Sequence, residues 1–369
     1  MIKRQHLSEE NIIKWLLEEE NPSVRYFTLN DLLDRDDLER QPAKSAITNS
    51  KIITKIFAQQ KPEGYWEDPE SPYLPKYKAS YWTIMILGQL GIDRFDERAR
   101  RACEYIFRFQ HDDGGFTAET GKTARRQYDW HRQRGKKMPL FKEWVSSFIR
   151  EQQLSCLTGN IVAALIRLGY ADDSRLKKAL NWLVEVQNRD GDWLCPYWKA
   201  HIKDTHGCFF GTICPIEAFS EVPGNNLTEG MKQTVKSGAE FLLMHRLYQS
   251  DHHDFKVIKP SWLKFGFPQS FGYDILRGLN VLTKLGYAND NLSACRHAQA
   301  ERLNDATDIL LKKRPKNGTW ILESSPVGRM QANIEPVGKP SKWLTLTALK
   351  VLKRLNKLSF EVFKTRTYK

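Results

Sequence analysis

The sequence predicts an all-α protein of paired helices, and three observations carry that prediction. A short phrase recurs four times, amphipathic segments precede its copies, and segments apolar round most of their circumference follow them. The phrase reads QQKPEGYWE at 59–67, FQHDDGGFT at 109–117, VQNRDGDWLC at 186–195 and KKRPKNGTWIL at 312–322. Each copy joins a long polar side chain, a glycine-containing turn and an aromatic residue.

The elements follow in chain order. Residues 8–33 form an N-terminal helix pair, SEENIIKWLLEEE with Ser8 as cap and Glu10 or Asn11 near it, then SVRYFTLNDLL. Segments 43–60, 96–110, 174–187, 231–247 and 300–314 space apolar residues at three and four, as helices with one buried face do. Segments 80–91, 156–169, 215–223, 272–286 and 343–355 are apolar over a wider arc and belong inside. Three of these end at Gly91, Gly169 and Gly286, where a left-handed C-terminal residue is expected, and one stops at Pro223. Outer and inner helices alternating in about six pairs can close into a ring with no exposed end.

Composition limits the class. At 369 residues with 41% apolar content the chain has material for a large core. Charges run through the first twenty residues, and no stretch approaches the roughly 18 apolar residues of a membrane span, so a cytoplasmic protein is expected. Six cysteines without a secretion signal point to reduced thiols. The net charge is +13, and part of it is local: between Gly121 and Lys142 eight Lys/Arg stand against one Asp. That segment shows no periodicity and reads as a basic loop inserted at 121–142, either solvated or a patch for phosphate, nucleic acid or an anionic membrane surface. Tyr128 and Trp130 could stack on bases, but no nucleic-acid-binding motif accompanies them.

The phrase QNRDGDW at 187–193 resembles the repeat of squalene-hopene cyclases and protein prenyltransferase β subunits. The resemblance covers about residues 43–355 and implies an (α/α)6 toroid occupying 1–369 as a single domain. CLTGN at 156–160, FGFPQSFGYDILR at 265–277 and GKPSKWLTLTALKVLK at 338–353 are similar to phrases of short bacterial and archaeal cyclase-repeat proteins. Fold is implied more specifically than activity.

The resemblance directs attention to three places. Asp34, Arg35, Asp36 and Asp37 spell the D-x-D-D string with which class II terpene cyclases protonate an alkene, but they follow the N-terminal pair among charged residues, as a solvated helix end does. A D-D-x-x-D cluster for magnesium diphosphate is absent from the sequence. His206, Gly207 and Cys208 resemble the Asp-x-Cys with which prenyltransferase β subunits bind zinc, with His in place of Asp. The family's other His is missing, and Gln269, Ser270 or Asp274 stands in that region.

Cysteine placement extends this reading. Cys156 begins one inner helix, Cys208 leads into the next, and Cys195 follows the turn between them. Cys156, Cys195, His206 and Cys208 could supply a tetrahedral zinc site, or three of them could bind with water in the fourth place. Packing thiols are the alternative, with Asp204 or His206 capping near Thr212. Cys103, Cys214 and Cys295 read as structural.

Trp82, Tyr81, Phe209, Phe210, Phe271, Tyr273 and Trp343 mark inner-helix starts and suit an apolar or isoprenoid ligand, or simply the core. Asp274 beside Tyr273 is the candidate catalytic acid, with an ordinary pairing to Arg277 as the alternative. His252 and His253 fall in a long loop that could cover the cavity or lie in solvent. Three functions compete. One is a cyclase-like or prenyltransferase-like enzyme on an isoprenoid substrate, with zinc assistance. The second is a non-catalytic toroid binding a lipid or a protein partner. The third is a carbohydrate-active α/α-toroid enzyme.

Overall fold

The recurring phrase folds the same way in its copies, and that shared device organises the chain. The glycine has positive φ in all four: Gly64 at 96°, Gly114 at 111°, Gly191 at 87° and Gly318 at 77°. In the first three a Cβ would lie 2.3 to 2.5 Å from a backbone carbonyl oxygen of the following outer helix, that of Arg101, Lys178 or Ser237. Only glycine allows both the turn and this approach. The preceding glutamine then clamps the joint. Gln60 Nε2 donates to Gly64 O and Arg98 O, Gln110 Nε2 to Gly114 O and Arg175 O, and Gln187 Nε2 to Gly191 O and Thr234 O.

The aromatic residue ties the turn to the inner helix. The N–H of Trp66, Phe116, Trp193 and Trp320 donates to a buried hydroxyl, that of Ser80, Thr158, Thr212 and Thr345 respectively. The indoles of Trp193 and Trp320 also reach back to Leu183 O and Leu310 O on the outer helix just ended.

The structure is a computed structural model and describes residues 9–195, 207–251, 253–287 and 301–358. Its helices are α1 (Glu9–Leu16), α2 (Pro22–Phe27, continued by a wider turn over Thr28–Leu32), α3 (Asp37–Ile47), α4 (Lys51–Phe57), α5 (Ser80–Leu90) and α6 (Glu97–Phe107). There follow α7 (Gly121–Gln133), α8 (Phe141–Glu151), α9 (Ser155–Leu165), α10 (Ser174–Glu185) and α11 (Phe209–Glu221). The last are α12 (Glu229–Met244), α13 (Ile275–Lys284), α14 (Asn304–Lys312) and α15 (Lys342–Arg354). Among the described residues only isolated bridges have β character, so the chain is all-α. None of these helices is long and apolar enough to cross a membrane.

The chain divides into two compact units. Unit one holds the N-terminal part to Ala58, Gln89–Ile92 and the chain from Ala239; unit two holds Gln59–Gly88 and Asp93–Gly238. In unit two the outer α6 and α10 bury one face, whereas α9 and α11 are buried almost throughout. Gly159 lets α9 and α11 touch, because a Cβ there would sit 2.5 Å from Cys214 C and Pro215 N. An ion cluster closes the far end of this pair: Arg167 is bound by Glu217 and, at 2.8 Å, by Glu221.

In unit one the N-terminal helices are held to α15. Lys350 pairs with Asp31 and Lys353 with Asp34, while Trp343 lies 6.0 Å from the Phe27 ring and stacks on Phe267 at 4.5 Å. Gly91, Gly169 and Gly286 end their helices with φ of 81°, 96° and 90°, as expected.

Two expectations are corrected and one holds. The outer segment 43–60 is two helices rather than one, because Ser50 caps a new start by accepting from Ile53 N. The Asp34–Asp37 string is the expected solvated helix end: its three aspartates are exposed, Asp36 caps α3 through Glu39 N and Asp37 pairs with Arg40. The basic segment 121–142 is helical to Gln133 and again from Phe141. Thr120 and Thr123 form a reciprocal capping box that starts α7, and α8 returns beside it.

Candidate functional site

The N-terminal ends of α5, α9 and α11 gather thiols and aromatic rings in unit two. Cys208 is the N-cap residue of α11, placed there by a chain of bonds from the third phrase. Cys208 N donates to Trp193 O at 3.1 Å, and the Thr212 hydroxyl donates to Cys208 O at 3.0 Å while accepting from Trp193 N. Cys195 follows two residues after Trp193, and the Cys208 thiol is hydrogen-bonded to its sulfur. That hydrogen bond, followed by burial, pushes the Cys208 thiol up. Cys156, in the first turn of α9, is pushed up by burial and by its neighbours Cys214 and Cys195. The Cys156 and Cys208 thiols are therefore neutral near pH 7, weak nucleophiles until a base or a metal removes the proton.

Aromatic rings stand beside them. Trp82 in the first turn of α5 packs against Tyr73 at 5.3 Å and Tyr77 at 4.7 Å, and its indole N–H donates to Tyr73 O at 2.8 Å. Burial, with Cys156 and Tyr77 nearby, raises the Tyr73 phenol to about 12. Tyr81 points the other way into the core, edge-on to Phe109 and Phe116. Phe209 is buried and Phe210 partly so at the start of α11.

Sequence reasoning missed Tyr73, Tyr77 and Asp192. Asp192 occupies the slot between the phrase's glycine and aromatic, where the other copies have Tyr65, Gly115 and Thr319. It is buried, and its carboxylate lies against Gly207: a Cβ there would come within 2.0 Å of Asp192 Oδ2. The signal was available as the one acidic residue in that slot. The two tyrosines, four apart around Pro75, carried none beyond composition.

Of the four expected zinc ligands, Cys195 and Cys208 are in contact and Cys156 is within electrostatic reach. His206, with Asp204, lies outside the described residues. Among the described residues no three His, Cys, Asp or Glu side chains are spaced to hold a metal ion, so no step through zinc is derived. None of the five described cysteines is in a disulfide; Cys295 and His252 fall outside the described residues, and His253 is exposed.

A cleft of about 430 Å³ opens nearby in unit two, with Ser155 and Leu194, chain neighbours of Cys156 and Cys195, in its wall. Its lining is otherwise mostly charged or amide, including Asp113, Arg150, Glu151, Glu185 and Asn188, and none of the thiols is part of it.

Asp274 and Tyr273 belong to unit one. Asp274 is buried as the N-cap of α13, and both carboxylate oxygens accept hydrogen bonds: Oδ1 from Arg277 N at 2.9 Å, Oδ2 from Gly266 N and Gln269 Nε2, each at 2.9 Å. Burial raises its pKa, against the pull of these donors. The Arg277 guanidinium also holds Ser270 O and Gly272 O. Gln269 is itself fixed, its N–H donating to Gln89 Oε1 and its amide to Gly266 O. The Tyr273 hydroxyl donates to Leu247 O at 2.7 Å, and its ring lies edge-on to Trp262. Asp274 is thus tied into the turn before α13, and Tyr273 to the chain just after α12.

No protein-family model and no curated protein matches the chain. Among solved structures it is similar to the type II terpene cyclase MstE from Scytonema, with 14% identity over 94% of this chain and 87% of that one and a TM-score of 0.41. It is similar also to a variant of that cyclase in complex with geranylgeranyl dihydroxybenzoate, with 14% identity over 95% and 100% and a TM-score of 0.44. A protein from Actinoplanes gives 15% identity over 92% and 90%, with a TM-score of 0.42. The likeness is one of helical arrangement at low identity, and the site residues described above stand on their own geometry.

Proposed function

We propose that the chain is a cyclase-like or prenyltransferase-like protein that takes an isoprenoid, or a similarly apolar unsaturated molecule, against the aromatic and thiol wall of unit two. The observation that carries this reading is the ring cluster of Trp82, Tyr73 and Tyr77 beside Cys156. Ring faces bind hydrocarbon and stabilise developing positive charge on carbon. The neutral Cys156 and Cys208 thiols add little polarity to such a surface. Asp192 is the carboxylate at the edge of this group, buried against Gly207.

A second reading, a binder without catalysis, is favoured by one observation: both oxygens of Asp274 are occupied as acceptors in a helix cap. The carbohydrate reading is disfavoured, because the acidic pair of α11, Glu217 and Glu221, is bound to Arg167.

Titration with geranylgeraniol, read by tryptophan fluorescence and by protection of Cys208 from a thiol reagent, tests the proposal. Binding that protects Cys208 and weakens about tenfold in Trp82→Leu, a loss of about 1.4 kcal/mol, is expected. Binding that leaves Cys208 equally reactive, or none at all, overturns it. The zinc expectation is carried with this proposal. Metal content of untagged protein decides it: zinc that is lost in Cys208→Ser would supply a Lewis acid at the same wall.

A further inference from the structure

The basic segment becomes informative once it is seen as a hairpin of α7 and α8. Its base is pinned to unit two, where Leu154 N donates to Phe116 O at 3.0 Å and the Thr117 hydroxyl donates to Gln152 O at 2.7 Å. Everything from Ala118 to Glu151 is therefore an excursion between the second phrase and the inner helix it feeds. In the first and third copies the same N–H to hydroxyl bond spans 14 and 19 residues; here it spans 42.

Helix α8 is amphipathic, yet none of its residues is buried. One side of it meets α7, where Tyr128 packs edge-on to Phe141 and Trp144. Val145, Phe148 and Ile149 continue that face and are half-buried rather than enclosed. At the hairpin's turn Leu140 is 71% exposed and Trp130 is 45% exposed. Basic residues surround this apolar strip: from Gly121 to Glu151 there are nine Lys/Arg and three Asp/Glu. Arg134 lies over the Trp130 ring at 3.8 Å and Arg125 over Phe141 at 3.3 Å, so long cationic side chains flank the rings.

We propose that the α7–α8 hairpin docks on an anionic lipid bilayer, with the apolar strip of Leu140, Val145 and Ile149 entering the headgroup boundary and the lysines and arginines meeting lipid phosphates. Charge complementarity names the partner: a strip both apolar and cationic matches an acidic membrane surface, where aromatic rings sit at headgroup level and Lys/Arg stems extend past them. Nucleic acid matches less well. The hairpin's cations would meet either phosphate, but Trp144 and Phe148 stack on each other at 4.7 Å, Arg134 covers one face of Trp130, and the aliphatic Leu140, Val145 and Ile149 give bases nothing to stack on.

Flotation of the full chain with phosphatidylcholine vesicles, with or without about 30 mol% phosphatidylserine to make the surface strongly negative, tests this. Binding to the anionic vesicles only, weakening with salt, is expected. Lys136→Glu with Lys137→Glu should reduce it by about twenty-five-fold or more, since each basic residue at the surface is worth about fivefold. Leu140→Ser removes apolar area at the N-cap position of α8, where serine is a good cap, and should weaken binding while leaving thermal stability intact. Equal binding to neutral vesicles, no binding, binding unchanged in both variants, or displacement from vesicles by a single-stranded RNA overturns the proposal.

Discussion

Asp274 shows how a single buried carboxylate can be read two ways. Sequence marks it as an acid at an inner-helix start; the structure shows three N–H donors aimed at its two oxygens. In Asp274→Asn the amide oxygen either takes the Oδ2 place and keeps two of these bonds with the NH₂ against Arg277 N–H, or takes the Oδ1 place and keeps one with the NH₂ against both Gly266 N–H and the Gln269 amide. A cost of about 1 to 3 kcal/mol is expected in denaturant unfolding. The pH dependence has a definite sign. Because burial raises the folded pKa, the folded state holds its proton to higher pH than the unfolded state, and the stability due to this group falls as pH rises from the ordinary aspartate range through the raised value. The stability gap between wild type and Asp274→Asn should therefore be wider at low pH than at pH 7. A gap that widens with pH would mean the three donors outweigh burial. Gly159 gives a simpler case. Gly159→Ala puts a methyl 2.5 Å from the α11 backbone, which cannot yield as a side chain can, so a loss of about 1 to 3 kcal/mol or more is expected in thermal unfolding.

At the scale of elements, the repeat is a joint with separable parts. Gln187 donates to its own turn and to Thr234 O of the next outer helix, so Gln187→Ala leaves two carbonyls without that donor. A cost of about 1 to 2 kcal/mol is expected, with Gln110→Ala similar, since its side chain makes the same two bonds. A chemical-denaturation midpoint unchanged in both would show that water replaces the clamp. This joint was legible because it needs particular residues: a glycine at positive φ, a long amide and an aromatic at fixed spacing. The fourth copy has Arg314 in place of glutamine and was still legible through Gly318 and Trp320. The hairpin was not. In α7 only Ala124 and Tyr128 are buried, one turn apart, too short a stripe to show a period. Its helix is specified by the Thr120–Thr123 cap rather than by a core. The site was legible in half: Cys156, Cys195 and Cys208 could be placed by the helices they precede, whereas Tyr73 and Tyr77 reach Trp82 from an irregular loop whose path no pattern encodes.

At the scale of the whole molecule, charge is distributed unevenly, and that has a testable consequence. Much of the chain's cationic surface is neutralised locally, as where Arg175 bridges Asp173 and Glu104 or Lys353 meets Asp34. The hairpin instead carries nine cationic against three acidic side chains between Gly121 and Glu151. Its recorded ion pairs to the rest of unit two, from Lys122 to Asp68 and Glu70, are exposed and contribute little. Because Thr117 and Gln153 already face each other across an antiparallel bridge, two glycines can join them in place of residues 118–152. Neighbouring strands lie only about 5 Å apart, so the short link closes without strain. The shortened chain should fold, with its melting temperature within about 2 °C of the parent, the shift expected for a change near 1 kcal/mol in a chain longer than about 250 residues. It should also elute from a cation exchanger at lower salt and no longer float with anionic vesicles. Retained folding with lost vesicle binding makes the hairpin an attachment built onto a self-sufficient scaffold. Failure to fold would mean instead that Ala124 and Tyr128 seal a part of the core that unit two cannot close alone.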